Sequence, residues 1–408
     1  MSKISDLIAK LCPNGVEYKP LKDVCVDFIV PMRDRPKVFD GNIPWCRIED
    51  AEGTWLNKSL SGLAVTREVV KEMNLKIMPT GTVICSCSAS LGKYLINTQP
   101  LITNQTFIGL VCGPRINNKF LRYLMETQTS KLVSVSNSGT IPYISRKKFE
   151  NLVVPVPPME VQREVVEVLD KFALLTAELT AELEKRKKQY EHYRDKLLNF
   201  RGGRSEWLTL GEVILSLNTG LNPRRFFQLN TDDAMNYYVT IREMHGGRIE
   251  FSDKTDRIND EALRLCNNRS NLEKGDVLFS GTGTIGEMVV LEETPTNWNI
   301  KEGVYTIKPD QTKILSKFLR YILMSTPVRL SYLSKVAGGT VKSISMGDMK
   351  KIKIPLPTLE KQAEVVALLG RFDKLCNDLT SGLPAEIAAR KKQYEYYRDK
   401  LLTFKKAG

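Results

Sequence analysis

Two clusters in this sequence hold residue types that could make or break bonds. The first is Gly281-x-Gly283-x-x-Gly286, preceded by Phe279-Ser280. Such a glycine run cradles a dinucleotide when it joins a strand to a helix and an acidic residue follows about 20 positions on. Phe279-Ser280-Gly281-Thr282-Gly283 also looks like the first motif of an S-adenosylmethionine methyltransferase. Here Met288-Val289-Val290-Leu291 follows and reads as a further strand, so the phosphate-binding helix is missing. The second cluster is Pro309-Asp310 with Asp348-x-Lys350, a superficial likeness to a nuclease metal site. Two carboxylates without a third acidic ligand hold a divalent cation poorly. No Asn/Asp-Pro-Pro-Tyr/Phe tetrapeptide occurs, and His192 and His245 are the only histidines. A Ser-His-Asp triad and His-rich zinc sites are therefore disfavoured. The expectation is a chain with no catalytic residue, no metal and no cofactor.

Binding chemistry is better supplied. Arg33, Arg35 and Lys37 sit in one turn-rich stretch; Ser86, Ser88 and Ser90 lead to Lys93 and Tyr94; Ser138, Thr140, Tyr143 and Arg146 fall in a third. Later in the chain the counterparts are Arg224 and Arg225, then Ser280, Thr282 and Thr284, with Asn297-Trp298-Asn299 beyond, and finally Thr340, Lys342 and Ser343. Hydroxyls and backbone amides in loops suit phosphate oxygens, while Arg, Asn and Gln can read base edges.

Charge agrees with a polyanionic partner. The 408 residues carry 60 Lys and Arg against 47 Asp and Glu, a net charge of +13. An excess of this kind favours nucleic acid. Met1 to Asp6 lead into no apolar signal region, and no apolar run approaches the roughly 18–20 residues that span a bilayer. The eight cysteines form no Cys-x-x-Cys pair and read as free thiols of a reducing cytosol, which places the chain in the cytoplasm.

The elements that must position these loops come in duplicate. Residues 186–200 recur as residues 390–404, with Tyr396 for His192 and Thr403 for Asn199 the only changes. Upstream, Val154-Pro155-Val156-Pro157 matches Ile354-Pro355-Leu356-Pro357, and Gln162, Glu164-Val165-Val166 and Phe172 match Gln362, Glu364-Val365-Val366 and Phe372. Lys119-Phe120-Leu121-Arg122-Tyr123 recurs as Lys317-Phe318-Leu319-Arg320-Tyr321. The chain then divides into an N-terminal helical segment (1–14), a first variable unit (15–152), a central helical spacer (153–202), a second variable unit (203–352) and a C-terminal helical spacer (353–408).

Apolar residues at Val161, Val165, Val168, Phe172, Leu175, Leu179, Leu183, Tyr190, Tyr193 and Leu197 recur every three or four positions. That spacing predicts a long coiled-coil-like helix. Its counterpart carries Val365, Leu368, Phe372, Leu375, Leu379, Ile387, Tyr394, Tyr397 and Leu401 and is interrupted at Ser381-Gly382-Leu383-Pro384. Paired antiparallel, two such helices give a pseudo-twofold α+β molecule with a variable unit near each end. A buried stripe constrains only about three positions in seven, yet Arg186, Lys187, Lys188, Gln189 and Glu191 match Arg390, Lys391, Lys392, Gln393 and Glu395. One surface presented twice implies two copies of one partner protein. Short β-type runs such as Thr82–Ser86, Phe107–Val111, Tyr237–Ile241 and Asp276–Ser280, with helices at Asn118–Thr127 and Ser316–Met324, make each unit α+β.

Taken together, the two-unit layout, the Pro-Val-Pro-Pro and Pro-Leu-Pro-Thr helix entries, the 85–92 and 280–286 loops and the Leu383 to Phe404 tail resemble the specificity (S) subunit of type I restriction–modification systems. The resemblance implies that each variable unit is a target recognition domain reading one half of a split, asymmetric DNA sequence. It implies that the helices set the gap and dock two methyltransferase (M) subunits, which restriction (R) subunits then join, and that the chain is not itself catalytic. The rival readings are a self-contained methyltransferase or nuclease, and a coiled-coil scaffold that never touches DNA.

Overall fold

The computed structural model describes residues 2–88, 90–134, 136, 142–200, 206–338, 341–377 and 382–408. The chain separates into two compact units, Met1–Glu178 with Ala388–Gly408, and Leu179–Ile387. Both are α+β, and both are assembled from the same parts.

The first unit is built on a four-stranded antiparallel sheet in the order Cys25–Ile29, Phe107–Cys112, Val83–Ser86, Tyr94–Ile96. A three-stranded sheet, Ala64–Val65, Ile43–Cys46, Ile102–Thr103, stands beside it, its middle strand antiparallel to the first and parallel to the last. Successive side chains of a strand point to opposite faces, and the run Val83-Ile84-Cys85 is apolar throughout because both faces are covered. Val83 and Cys85 enter the main core with Phe120, Leu121 and Leu124 of the helix Asn118–Thr127. Ile84 enters a second core with Leu56, Met78 and Phe107.

The second unit repeats this order: Ile214–Thr219, Val304–Pro309, Val277–Ser280, Met288–Val290 in the larger sheet, and Arg257–Ile258, Asn236–Val239, Trp298–Ile300 in the smaller. Val277 and Phe279 face the main core, and Leu278 faces a second one. Helices Asn118–Thr127 and Ser316–Met324 fall where the sequence places them. Of the smaller sheets only Asn236–Val239 is expected from the sequence, as part of the run Tyr237–Ile241; the other strands are not, nor is the helix Asp260–Ser270, whose Asn259 side chain accepts from Ala262 N at 3.0 Å as an N-cap.

The central helix runs from Met159 to Leu197, and the C-terminal spacer is two helices, Leu359–Asn377 and Leu383–Leu401. The expected interruption falls between them, and residues 378–381 lie outside the described residues. The stripe needs one correction. Leu175, Leu368 and Leu375 are largely exposed, whereas Val166, Leu169 and Leu369 are buried. The first turns of each spacer pack into the domain cores, Val161, Val165, Val166 and Leu169 in one and Val365 and Leu369 in the other. Further along, Phe172 stacks on Tyr397 within the first unit, centroids 5.3 Å apart, and Tyr193 on Phe372 within the second, at 6.2 Å.

The repeated glutamine now has a reason. Gln162 is wholly buried; its amide donates to Arg115 O and Pro157 O and accepts from Asn117 N, at 2.7–2.9 Å. Gln362 does the same with Lys313 O, Pro357 O and Leu315 N, at 2.8–2.9 Å. Each latches the start of a spacer helix to the loop entering the domain's own helix.

Candidate nucleic-acid interface

In each unit two loops singled out from the sequence are brought together. In the first, the strands Val83–Ser86 and Tyr94–Ile96 are joined by a hairpin, and Ser86 Oγ accepts from Lys93 N at 2.9 Å to pin it. Ser88 pairs with Tyr143 in an antiparallel bridge, and Ile144 N donates to Cys87 O at 2.8 Å. In the second, Ser280 Oγ donates to Thr284 O at 2.6 Å and accepts from Glu287 N at 2.8 Å. Thr282 pairs with Ser343, Gly283 N donates to Lys342 O and Ile344 N to Gly281 O.

The third loop leaves the edge strand of the larger sheet. Arg35 stands over the rings of Phe39 and Trp45, 5.6 and 5.7 Å from their centroids. Arg224 and Arg225 lie on the short helix Pro223–Phe226, where the Asn222 side chain accepts from Arg224 N at 3.0 Å and donates to Glu302 Oε1 at 2.9 Å.

Arg33, Arg35, Lys37, Ser90, Tyr143, Arg146, Arg224, Arg225, Thr284 and Lys342 are exposed; Ser88, Thr282 and Ser343 are half-buried. Arg146 is partly spoken for, since its Nε donates to Glu150 Oε1 at 2.6 Å. Four expected contacts need correction. Ser86 and Ser280 are buried and their hydroxyls close the hairpins. Tyr94 is buried, its hydroxyl accepts from Thr129, and burial pushes it well above the usual phenol range. The Lys93 ammonium donates inward to Ile48 O and Ala51 O at 3.3 and 3.1 Å. These four side chains build the hairpin. Asn299 is likewise buried, bonded to Ser270 and Asn267. Ser138, Thr140 and Thr340 lie outside the described residues.

The sequence reading missed the turn at the centre of each site. Asn104-Gln105-Thr106 and Lys301-Glu302-Gly303 connect the smaller sheet to the larger one. Cys87 N donates to Thr106 O, and Gly281 N to Gly303 O. Thr219 Oγ1 donates to Glu302 O, and Leu221 bridges to Lys301. The two turns share no residue type at matched positions and one is uncharged, so neither repeat nor charge draws attention to them. A polar triplet directly before an apolar strand was the available signal.

The glycine motif has a packing explanation. Residues 281–287 form a hairpin whose second strand, Met288–Val290, is antiparallel to Val277–Ser280, so no helix follows the glycines. A Cβ on Gly281 would lie 2.4 Å from the Tyr305 ring, and Gly286, at φ +98°, would meet Tyr332 Oη at 2.5 Å. Asp310 accepts from Thr312 N and Oγ1, bonds that hold its carboxyl below the usual range, and Asp348 accepts from Ser345 Oγ at 2.7 Å. Both acids serve local turns.

The repeated surface lies on the spacer helices. Arg186 pairs with Glu182 at 2.6 Å and Lys187 with Glu184 at 3.6 Å; Lys188, Gln189 and Glu191 are exposed. Lys391, Lys392 and Glu395 are exposed, and Arg390 Nη1 donates to Gln393 Oε1 at 3.2 Å. Among the described residues no helix is long and apolar enough to cross a membrane.

Comparison with known proteins adds to this geometry. A model of the type I restriction modification DNA specificity domain matches twice, over residues 13–186 and 205–389. The type I restriction enzyme EcoR124I/EcoR124II specificity subunit of Escherichia coli is 32% identical over 296 residues, 71% of each chain. The EcoprrI specificity subunit of the same species is 26% identical over 403 residues, 93% of each chain. Among solved structures, a chain from a study of complex assembly and conformational transition of the type I R-M system superposes with a TM-score of 0.61 at 18% identity, covering 96% of this chain and 98% of that one. The S subunit from M. genitalium superposes with a TM-score of 0.53 at 14% identity, over 95% and 96%.

Proposed function

The chain belongs to the type I restriction–modification DNA specificity family, and we propose that each of its two units reads one half of a bipartite, asymmetric DNA target. One observation carries the reading. The same two-sheet frame occurs twice, with hairpin and downstream loop joined by the same bonds, and with different side chains projecting from them. A constant frame with variable loops is what two readers of different sequences require.

In this reading the recognition domains are residues 15–152 and 203–352. Residues 1–14, 153–202 and 353–408 form the helical parts that fix the gap. Arg33, Arg35, Lys37 and Arg146 in one domain, and Arg224, Arg225 and Lys342 in the other, neutralise phosphates and make affinity fall with salt. Ser88, Ser90, Tyr143, Thr282, Thr284 and Ser343 lie where contacts to sugar, phosphate or base edges fix register. Two modules on one spacer bind together only when the spacer matches the span between half-sites.

Arg186 to Glu191 and Arg390 to Glu395 dock two methyltransferase subunits, and restriction subunits join that complex in the cytoplasm. Bond-making chemistry resides on those other chains. The test is to co-express the chain with its cognate methyltransferase and sequence the modified sites. Two short defined half-sites with a constant gap are expected. Modification without sequence preference, or binding of S-adenosylmethionine by the isolated chain, would contradict the proposal.

A further inference from the structure

We infer that Gln105 is a base-reading, specificity-determining residue of the first unit, and that it selects an adenine. The inference rests on the assignment of that unit as a DNA reader.

The backbone around Gln105 is fixed from several sides. Asn104 N donates to Cys46 O at 3.1 Å, tying the turn to the smaller sheet. Cys87 acts as a rivet: its N–H donates to Thr106 O at 2.8 Å, its carbonyl accepts from Ile144 N at 2.8 Å, and its Sγ donates to Gln105 O at 3.6 Å. Thr106 Oγ1 donates to Asn104 Oδ1 at 2.6 Å, which occupies the other amide side chain of the turn. Gln105 therefore sits beside both the hairpin and the downstream loop. Its side chain is exposed, and its carboxamide bonds to nothing among the described residues.

A free carboxamide on a held backbone has one well-matched nucleic-acid partner. It can accept from the adenine N6 amine and donate to N7 together, a bidentate pairing in the major groove. Holding the backbone in advance lowers the ordering cost of that contact. At the matched place in the second unit stands Glu302. One of its oxygens is bonded to Asn222, and the other is buried without a hydrogen-bond partner among the described residues. The same position thus carries a donor–acceptor group in one unit and an acceptor-only group in the other. Glu302 is engaged inside its own unit, so the assignment is confined to Gln105 of the first.

The experiment uses the complex with the cognate methyltransferase. Duplexes are varied one base pair at a time through both half-sites, and methyl transfer is measured for the wild type, Gln105→Ala and Gln105→Glu. Gln105→Ala is expected to lose roughly 10- to 100-fold of discrimination at one adenine of the first half-site. Gln105→Glu, which can accept but not donate, is expected to move the preference there toward cytosine, whose N4 amine donates. The second half-site serves as internal control and stays as in the wild type. If both variants keep wild-type discrimination at every position while the wild type still reads two half-sites, the inference falls and the DNA-reading assignment stands. If the wild type itself shows no sequence preference, both fall together.

Discussion

The two units differ most informatively where their helices meet the spacers. In the first, Glu126 sits on the domain helix and gathers three partners: Arg122 at 2.8 Å, the Tyr394 hydroxyl at 2.8 Å and Arg398 at 3.8 Å. In the second, the corresponding residue is Met324, and the network comes apart. Tyr190, the counterpart of Tyr394, keeps a buried hydroxyl with no partner among the described residues. Arg320, the counterpart of Arg122, turns instead to Asp373 at 2.9 Å. Asp373 also accepts from Tyr321, whose counterpart Tyr123 bonds to Asp170 together with Lys119. The apolar frame and the buried glutamine latch are held constant, while the polar ties around them have been rewired. Two positions account for the new direction of the arginine: Met324 replaces its acidic neighbour, and Asp373 stands where the first spacer has Ala173.

Removing what the units share is expected to have the largest effect. Gln162→Ala and Gln362→Ala each strand a buried backbone N–H and two carbonyls, and each costs its own unit roughly 2–4 kcal/mol. Hydrogen exchange should show lost protection confined to residues around 115–117 for Gln162→Ala and 313–315 for Gln362→Ala. Equal loosening of both units by either variant would break the picture of separate latches.

Exchanging what differs is expected to be asymmetric. Glu126→Met leaves a charged arginine and a tyrosine hydroxyl without their acceptor and costs about 1–3 kcal/mol. Met324→Glu offers an acceptor to Tyr190 and costs less than half as much. Chemical denaturation of the two variants measures both values, and similar costs would mean that the networks are not the cause of the difference.

At the interface, Arg35→Ala and Arg224→Ala remove cations at matched loop positions. Each is expected to weaken DNA binding by the methyltransferase complex on all sequences and to lower the slope of log affinity against log salt by about one. A changed half-site would instead place these arginines on bases.

The smallest expected effect is a pH term confined to the second unit. Burial raises the Asp195 carboxyl, but the hydroxyl and N–H of Thr326 and the charge of Arg194 outweigh it and set the group below its usual range. Its contribution is therefore present above the ordinary carboxylate range and lost as pH falls through the depressed value. Thermal melts from neutral to acidic pH should show a shallower acid limb in Asp195→Asn. An unchanged limb would remove Asp195 from the account.

Much of the frame could be read directly because it rests on apolar spacing and on repetition. Helices Asn118–Thr127 and Ser316–Met324, the central helix and the main strands follow from periodicity. Of the smaller sheets only Asn236–Val239 shows in the sequence, because strands such as Ala64–Val65 and Ile102–Thr103 are too short to show a period. Residue type pointed to polar loops, two of which the fold joins in each unit, but it could not separate a hydroxyl that closes a hairpin from one that faces outward. Ser86 and Ser88 are two residues apart on one loop; the first is buried and the second half-exposed. The charge of Lys93 suggests a phosphate contact in the sequence, and only the fold turns that charge toward carbonyls. Gln105 escaped notice because the sequence alone does not show which turn stands between two loops.

The most direct measurement concerns a chain in which residues 203–352 are replaced by a second copy of residues 15–152, expressed with the cognate methyltransferase and followed by sequencing of modified sites. The account predicts a symmetric target made of the first half-site twice, at the wild-type gap. A target that keeps its original second half would contradict it.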